Sequence, residues 1–241
     1  MILVIDAGNS RLKWGMHDGD DWMSQGVVSY PVSVSSEPGW QAFEAPEKII
    51  ISNVAGEQVR SDILRALAQW SQSVCWIVPK AAECGVINGY REPAQLGSDR
   101  WAALIAARYL HLGYCLVVNV GTAMTVDLLT DKGRFAGGII VPGSQLMREV
   151  LSVKTDGIDS DADGRFIQFP DNTADAVASG ALQALAGAVE RIHGAVLQTY
   201  GYAPLCILSG GAAPVLQPLL NIPLRVVDNL VLEGLIRIAH Q

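Results

Sequence analysis

The sequence predicts an α/β protein made of two copies of one unit, each a mixed β-sheet flanked by helices. Three observations carry this. Apolar runs of strand length alternate with amphipathic stretches of helix length. A strand–turn–strand pattern occurs twice, around Asp6-Ala7-Gly8-Asn9 and Asn119-Val120-Gly121-Thr122, roughly half a chain apart, and each copy leads into a third strand and then helix–strand alternation. The 241 residues allow two halves, expected at 1–113 and 114–241, each able to bury a core.

In the first half, residues 2–5 are a short apolar run, read as a buried strand, and Asp6 to Ser10 is the turn after it. Leu12, Trp14 and Met16 alternate with Arg11, Lys13 and Gly15, the period of a half-buried strand. A third strand is expected within 22–30, and the Pro- and Ser-rich stretch 31–38 reads as a loop. Residues 48–52 are another buried strand. Val59, Ile63, Leu64, Leu67 and Trp70 are spaced for an amphipathic helix over 57–71, and 74–78 for a strand. Residues 81–97 read as irregular, and a helix is expected over 99–112 with Ser98 or Asp99 as its cap.

In the second half, 115–119 is apolar until Asn119, 124–129 returns, and 135–141 is a third strand. Pro142-Gly143 introduces a helix to about residue 151. Residues 153–170 are polar and contain glycine, the pattern of a mobile loop. A long Ala-rich helix follows over 172–199, then a strand at 205–208, the Gly210-Gly211 turn, a short helix at 213–220, a strand at 224–227 and a helix after Asp228.

Composition narrows the function. With 17 basic and 24 acidic residues the formal charge is -7, and no Lys/Arg run is present, which argues against a nucleic-acid partner. The longest apolar runs fall well short of the roughly 20 residues of a spanning helix, so no membrane segment is expected. The N-terminus has no basic region and meets Asp6 at once, unlike a signal peptide; the expected compartment is the cytoplasm. Cys75, Cys84, Cys115 and Cys206 form no CxxC and read as reduced thiols. The 4 histidines have no metal-ligand spacing and are expected at the surface or hydrogen-bonded. Motifs for a P-loop, a dinucleotide fold, a nucleophile elbow and a zincin are all missing.

Three segments remain that can carry chemistry. In the first, Asp6 can hold Mg²⁺ through water, Gly8 lets the backbone approach a phosphate, Asn9 and Ser10 can donate to it, and Lys13 can neutralise it. The same residues also suit a plain hairpin with a solvated lysine. The second turn repeats these tools with Asn119 in place of the acid, and Asp127 further along the hairpin reads as a solvated strand end. The third is Gly97-Ser98-Asp99-Arg100-Trp101. There Asp99 can accept the proton of an attacking hydroxyl and Arg100 can bind an anionic group; a helix cap with an exposed arginine is the plainer reading. Two such turns suit the gripping of a triphosphate, as in the acetate and sugar kinase, Hsp70 and actin superfamily. In that setting Gly210-Gly211 after Ser209 would suit an adenosine contact.

Together these segments resemble the type III pantothenate kinases along nearly the whole chain. The resemblance rests on Asp6-Ala-Gly-Asn-Ser-Arg-Leu-Lys-Trp14, Asn88-Gly-Tyr90, Leu96-Gly-Ser-Asp-Arg-Trp101, Gly121-Thr-Ala-Met-Thr125, Gly137-Gly-Ile-Ile-Val-Pro-Gly143, Asn172-Thr173 through Gly180, and Ser209-Gly-Gly211. It implies two RNase-H-like (actin-like ATPase) halves in a homodimer, and ATP-dependent phosphorylation of pantothenate to 4′-phosphopantothenate, the first step of coenzyme A synthesis. It further implies that Asp6, Ala7, Gly8, Asn9, Ser10, Arg11, Leu12 and Lys13 form the first phosphate loop and that Thr122 contacts ATP. Asp99 matches the catalytic base. Tyr90, Gly97, Ser98, Asp99 and Arg100 match the pantothenate pocket, and Thr173 matches a threonine supplied to the partner subunit's pocket; as a plain structural residue it would cap the long helix. Mg²⁺ and a monovalent cation, K⁺ or NH₄⁺, are implied. Asn119 stands where the family usually has the aspartate that helps bind the monovalent cation. Another reading is a non-catalytic accessory or regulatory homologue of the same family; a third is a small kinase for another acid or sugar. The presence of Asp6, Lys13, Asp99 and Arg100 favours the enzyme over the accessory homologue, and Asn88-Gly89-Tyr90 with the Asp99 segment favours pantothenate over other acceptors.

Overall fold

The computed structural model describes residues 1–29, 39–158 and 163–241, without the side chains of Gln41, Ser71 and Gln72. Strands β1 (Ile2–Ala7), β2 (Arg11–His17) and β3 (Trp22–Ser29) form an antiparallel meander. Next come β4 (Lys48–Asn53), parallel to β1, the helix α1 (Glu57–Ala66), and β5 (Val74–Trp76), parallel to β4. The sheet order is β3-β2-β1-β4-β5. A small hairpin, β6 (Ala82–Glu83) and β7 (Val86–Ile87), precedes the helix α2 (Ser98–Leu110).

The second sheet repeats this plan. Strands β8 (Cys115–Val120), β9 (Ala123–Leu129) and β10 (Phe135–Pro142) are followed by α3 (Ser144–Lys154), α4 (Thr173–Tyr200), β11 (Leu205–Ser209), α5 (Ala213–Leu216) and β12 (Leu224–Val226). Its order is β10-β9-β8-β11-β12, strand for strand that of the first sheet. The chain ends in α6 (Leu230–Ala239).

The described residues form two compact units. One is Met1–Leu112 with Gly133–Ala136 and Asn229–Gln241; the other is Gly113–Lys132 with Gly137–Asp228. In the first, β1 and β4 are buried on both faces, which is why they read as unbroken apolar runs. Leu3, Ile5, Ala7, Ile49 and Ile51 join Trp14, Trp40, Ile63 and Leu67 in one core. Val4 and Ile50 point to the opposite face, which α2 and α6 cover. Burying each such aliphatic chain contributes about 1.5–3 kcal/mol. In the second unit, Leu116, Val118, Val120, Met124 and Val126 meet Leu185, Ala186 and Val189 of α4 and Leu208 of β11.

Several expectations change. Helix α1 stops at Ala66 and continues as a 3₁₀ segment over Ala68–Ser73, in which Trp70 leaves helical geometry. Leu64, expected on its buried face, is exposed, because the buried stripe runs through Ile63 and Leu67. Residues 81–97 contain the β6–β7 hairpin, whose two-residue strands are too short to show a period. Its turn places Cys84 at φ 48 and Gly85 at φ 74. The strand expected within 22–30 ends at Ser29; its last residue and the loop 31–38 lie outside the described residues. In the stretch read as a mobile loop, α3 runs on to Lys154, and residues 165 and 167 are tied to α4: Arg165 N donates to Asp175 at 2.7 Å and Ile167 N to Ser179 at 2.9 Å. His193 is buried with no partner at Nε2, unlike a surface or satisfied histidine.

Helices α2 and α6 approach so closely that a Cβ at Gly234 would run into the Ala102 carbonyl. The backbones would have to part to admit it. Gly234→Ala is therefore expected to lower stability by about 1–3 kcal/mol, as for other overpacked cores, read from urea unfolding midpoints.

Candidate active site

Asp6 lies near the end of β1, where the sheet register decides its neighbours. Lys13 is its antiparallel partner on β2 and Ser52 its parallel partner on β4. Past Asp6 the chain turns tightly, with Gly8 N donating to Arg11 O at 3.0 Å, and Asn9, Ser10 and Arg11 are exposed. The Ser52 hydroxyl hydrogen-bonds the Asp6 carboxyl, while Oδ1 of Asp6 is buried without a partner. Burial, and secondarily the Asp99 carboxylate, raise the Asp6 pKa to about 7 against the opposing pull of Lys13 and Ser52. Lys13 Nζ also donates to Asn229 Oδ1 at 3.2 Å; Asn229, at φ 51 just before α6, in turn donates to Gln25 at 2.7 Å.

The Asp6 cluster continues into α2. Ser52 Oγ and Ser98 Oγ are 2.9 Å apart, and both residues are buried. Helix α2 starts at Ser98 after Gly97, with no side-chain cap. The capping expected of Ser98 or Asp99 is absent because both are engaged otherwise: Ser98 with Ser52, and Asp99 with the adjacent Arg100 N–H at 2.8 Å. Burial raises the Asp99 pKa, and the Arg100 N–H and guanidinium pull the other way.

Arg100 is not the exposed arginine of a plain cap. It is buried, donates from Nη1 to the Tyr90 hydroxyl at 3.0 Å, and holds its guanidinium carbon 5.7 Å from the Tyr90 ring centre and 5.6 Å from that of Phe135. Asn88 sets Tyr90 in place: its Oδ1 accepts from Tyr90 N at 3.0 Å and its Nδ2 donates to Pro93 O at 3.1 Å. The first unit thus brings Asp6, Lys13, Tyr90, Ser98, Asp99 and Arg100 together. It adds Ser52, Phe135 and Asn229, which the sequence reading missed. Only Ser52 carried a signal, as the polar end of an otherwise apolar run.

In the second unit Asn119 occupies the equivalent place on β8. Its register partners are Thr125 on β9 and Ser209 on β11, matching Lys13 and Ser52. Gly210, at φ 103, packs so tightly that a Cβ would lie 2.7 Å from Asn119 Oδ1, and Gly143 N donates to Thr122 O at 2.8 Å. Asp127, expected as a solvated strand end, is 1% exposed, because it faces the sheet neighbour Gly138. Thr173 is exposed at the start of α4. The expected cap role falls to Asn172, whose Oδ1 accepts from Asp175 N at 3.0 Å. Thr173 borders an apolar cavity of about 900 Å³ lined also by Pro142, Met147, Leu151 and Val177. Among the described residues no cluster of His, Cys, Asp or Glu could by itself hold a metal ion, and no helix is long and apolar enough to cross a membrane.

A family model described as type III pantothenate kinase matches residues 2–195. A type III pantothenate kinase of Nitrosospira multiformis is 49% identical over all of this chain and 92% of its own length; one of Aromatoleum aromaticum is 46% identical over 100% and 98%. Among solved structures, a conserved Campylobacter jejuni protein assigned to the Baf family of transcriptional activators matches with a TM-score of 0.61 and 20% identity over 99% of this chain and 97% of its own. An activator of 2-hydroxyisocaproyl-CoA dehydratase from Clostridium difficile with bound ADPNP matches at 0.52 and 11% identity, over 99% and 92%. At such identities the likeness is one of fold, the duplicated actin-like ATPase architecture.

The Asp175 carboxylate is held below the ordinary carboxylate range by the Arg165 N–H and then by Asn172. A depressed folded pKa contributes stability that is present above the unfolded value of 3.8 and lost as pH falls through the folded one. Asp175→Asn is therefore expected to unfold more easily at neutral pH, with the gap to the parent closing below about pH 3.8; thermal melts across pH check this.

Proposed function

The chain belongs to the type III pantothenate kinase family and phosphorylates pantothenate, and we propose that Asp99 is its general base, with Asp6 to Lys13 and Thr122 on ATP and Tyr90, Gly97, Ser98, Asp99 and Arg100 on pantothenate. The observation that carries this is the buried cluster in which a strand-end turn and the start of α2 share the Asp6–Ser52–Ser98 hydrogen bonds. Asp99 accepts the proton of the pantothenate primary hydroxyl as its oxygen bonds to the γ-phosphorus. The bond from that phosphorus to the β,γ-bridging oxygen breaks, and ADP leaves with its electron pair. Burial makes Asp99 a stronger base than an exposed carboxylate. Lys13 offsets phosphate charge, and Arg100, fixed over Tyr90 and Phe135, suits the pantothenate carboxylate.

The partly exposed Asp6 carboxylate, with Oδ1 unpartnered, fits a Mg²⁺ ion held through water. When bound, Mg²⁺ would neutralise charge on the β- and γ-phosphates. The Asn119 amide oxygen, cradled by Gly210, fits K⁺ or NH₄⁺ as an uncharged ligand. We read the protein as a cytoplasmic homodimer in which Thr173 serves the neighbouring subunit. The apolar cavity beside Thr173 and the exposed Val150, Val153 and Phe169 support this. We also read halves 1–113 and 114–241 as copies of one unit. The shared strand order supports this, although 133–136 and 229–241 belong to the first compact unit.

Asp99→Asn is expected to cut turnover by about 10²–10⁴-fold while ATP binding stays near parental. Mixing it with an inactive Thr173→Ala chain should restore activity through hybrid sites. Parental turnover of Asp99→Asn, in a coupled assay for ADP release with pantothenate, sugars and acetate as acceptors, would mark Asp99 as structural only.

An amide supplies an oxygen but none of the Coulombic attraction that scales as roughly 332/(εr) kcal/mol. Asn119→Asp should therefore lower the K⁺ or NH₄⁺ concentration giving half-maximal activity. Titration of each cation into cation-free assays of both proteins decides it, and identical tight dependence would rule out this position as the cation ligand.

A further inference from the structure

Ser52 takes no part in the chemistry above, yet it touches both sides of it. It is fully buried in β4, directly after three isoleucines. A hydroxyl sealed there costs free energy unless both its donor and its acceptor roles are filled. Both are filled from functional segments: the Asp6 carboxyl on one side and the Ser98 hydroxyl, 2.9 Å away, on the other.

We propose that Ser52 is a positioning residue of the phosphoryl transfer, its hydroxyl joining Asp6 of the phosphate loop to Ser98 at the start of α2 and so fixing Asp99 relative to that loop. With Asp6 as acceptor, Ser52 donates its one O–H to the carboxylate and accepts that of Ser98. Ser98 then has no hydrogen left to give elsewhere. The first turn of α2 is oriented from the strand ends and not by a cap of its own. In the second unit Ser209 of β11, 4% exposed, is likewise the register partner of Asn119. A strand-end serine beside the strand-end turn residue thus recurs in both copies of the plan.

The inference rests on the assignment of Asp99 and the Asp6 loop to catalysis, and the test separates the two. Steady-state kinetics of Ser52→Ala should show kcat lowered by about 10–100-fold, with KM for ATP and for pantothenate changed by less than about 3-fold, because alignment and not affinity is lost. Ser52→Cys keeps the volume with a poor donor, should behave the same way, and carries the test if the alanine variant fails to fold. The double variant Ser52→Ala/Ser98→Ala should lose little more than the worse single variant, since both break one chain of hydrogen bonds. Unchanged kcat in the folded Ser52 variants overturns the inference, as does a loss explained by the folded fraction or full additivity with Ser98→Ala. A parent chain that releases no ADP with pantothenate overturns the functional reading itself, which an active parent with unaffected Ser52 variants does not.

Discussion

A carboxylate with one oxygen buried at the end of a central strand is expensive, and the first unit is arranged around that cost. Desolvating a charge is unfavourable by several kcal/mol unless partners replace the water. Register sets two groups beside Asp6: Ser52 from the parallel side, which hydrogen-bonds it, and Lys13 from the antiparallel side, whose charge favours the carboxylate at longer range. They do not fully compensate it: one oxygen stays unpaired and the pKa rises to about 7. That deficit is what the cation binding proposed at Asp6 would offset.

The second unit repeats the backbone and changes the charge. Asn119, Thr125 and Ser209 stand where Asp6, Lys13 and Ser52 stand, so a carboxylate and an ammonium at register positions become an amide and a hydroxyl. The neutral set needs no ionic compensation, and closely packed Gly210 takes up the space beside it. One architecture thereby carries two strand-end turns of different electrostatic character, one with charged groups and one with neutral groups.

The start of α2 shows local stability given up for placement. A side-chain cap is worth about 1 kcal/mol, and Ser98 and Asp99 could each supply one. Neither does; Ser98 is bonded to Ser52, and Asp99 to the Arg100 N–H, instead. By contrast α4, which begins at the exposed Thr173, keeps a side-chain cap at Asn172. Arg100 is buried against two aromatic rings with its hydroxyl partner on Tyr90, an arrangement that fixes a planar donor at low entropy cost.

Much of this was legible in the residues. Apolar runs, alternation and turn glycines are local signals, so the two meanders, the parallel strands, the long helix and the segments around Asp6, Asp99 and Asn119 could all be read without coordinates. The sequence alone determined which of the longer elements form and which of them end in polar residues, because burial period and turn chemistry act over a few residues. Only the tertiary structure decided which polar ends meet. Ser52 reaches Ser98 across 46 residues and Lys13 reaches Asn229 across 216, and Phe135 joins Tyr90 and Arg100 from beyond a sheet turn. Those pairings follow from strand register and helix packing, which depend on the whole core at once and leave no periodic trace along the chain.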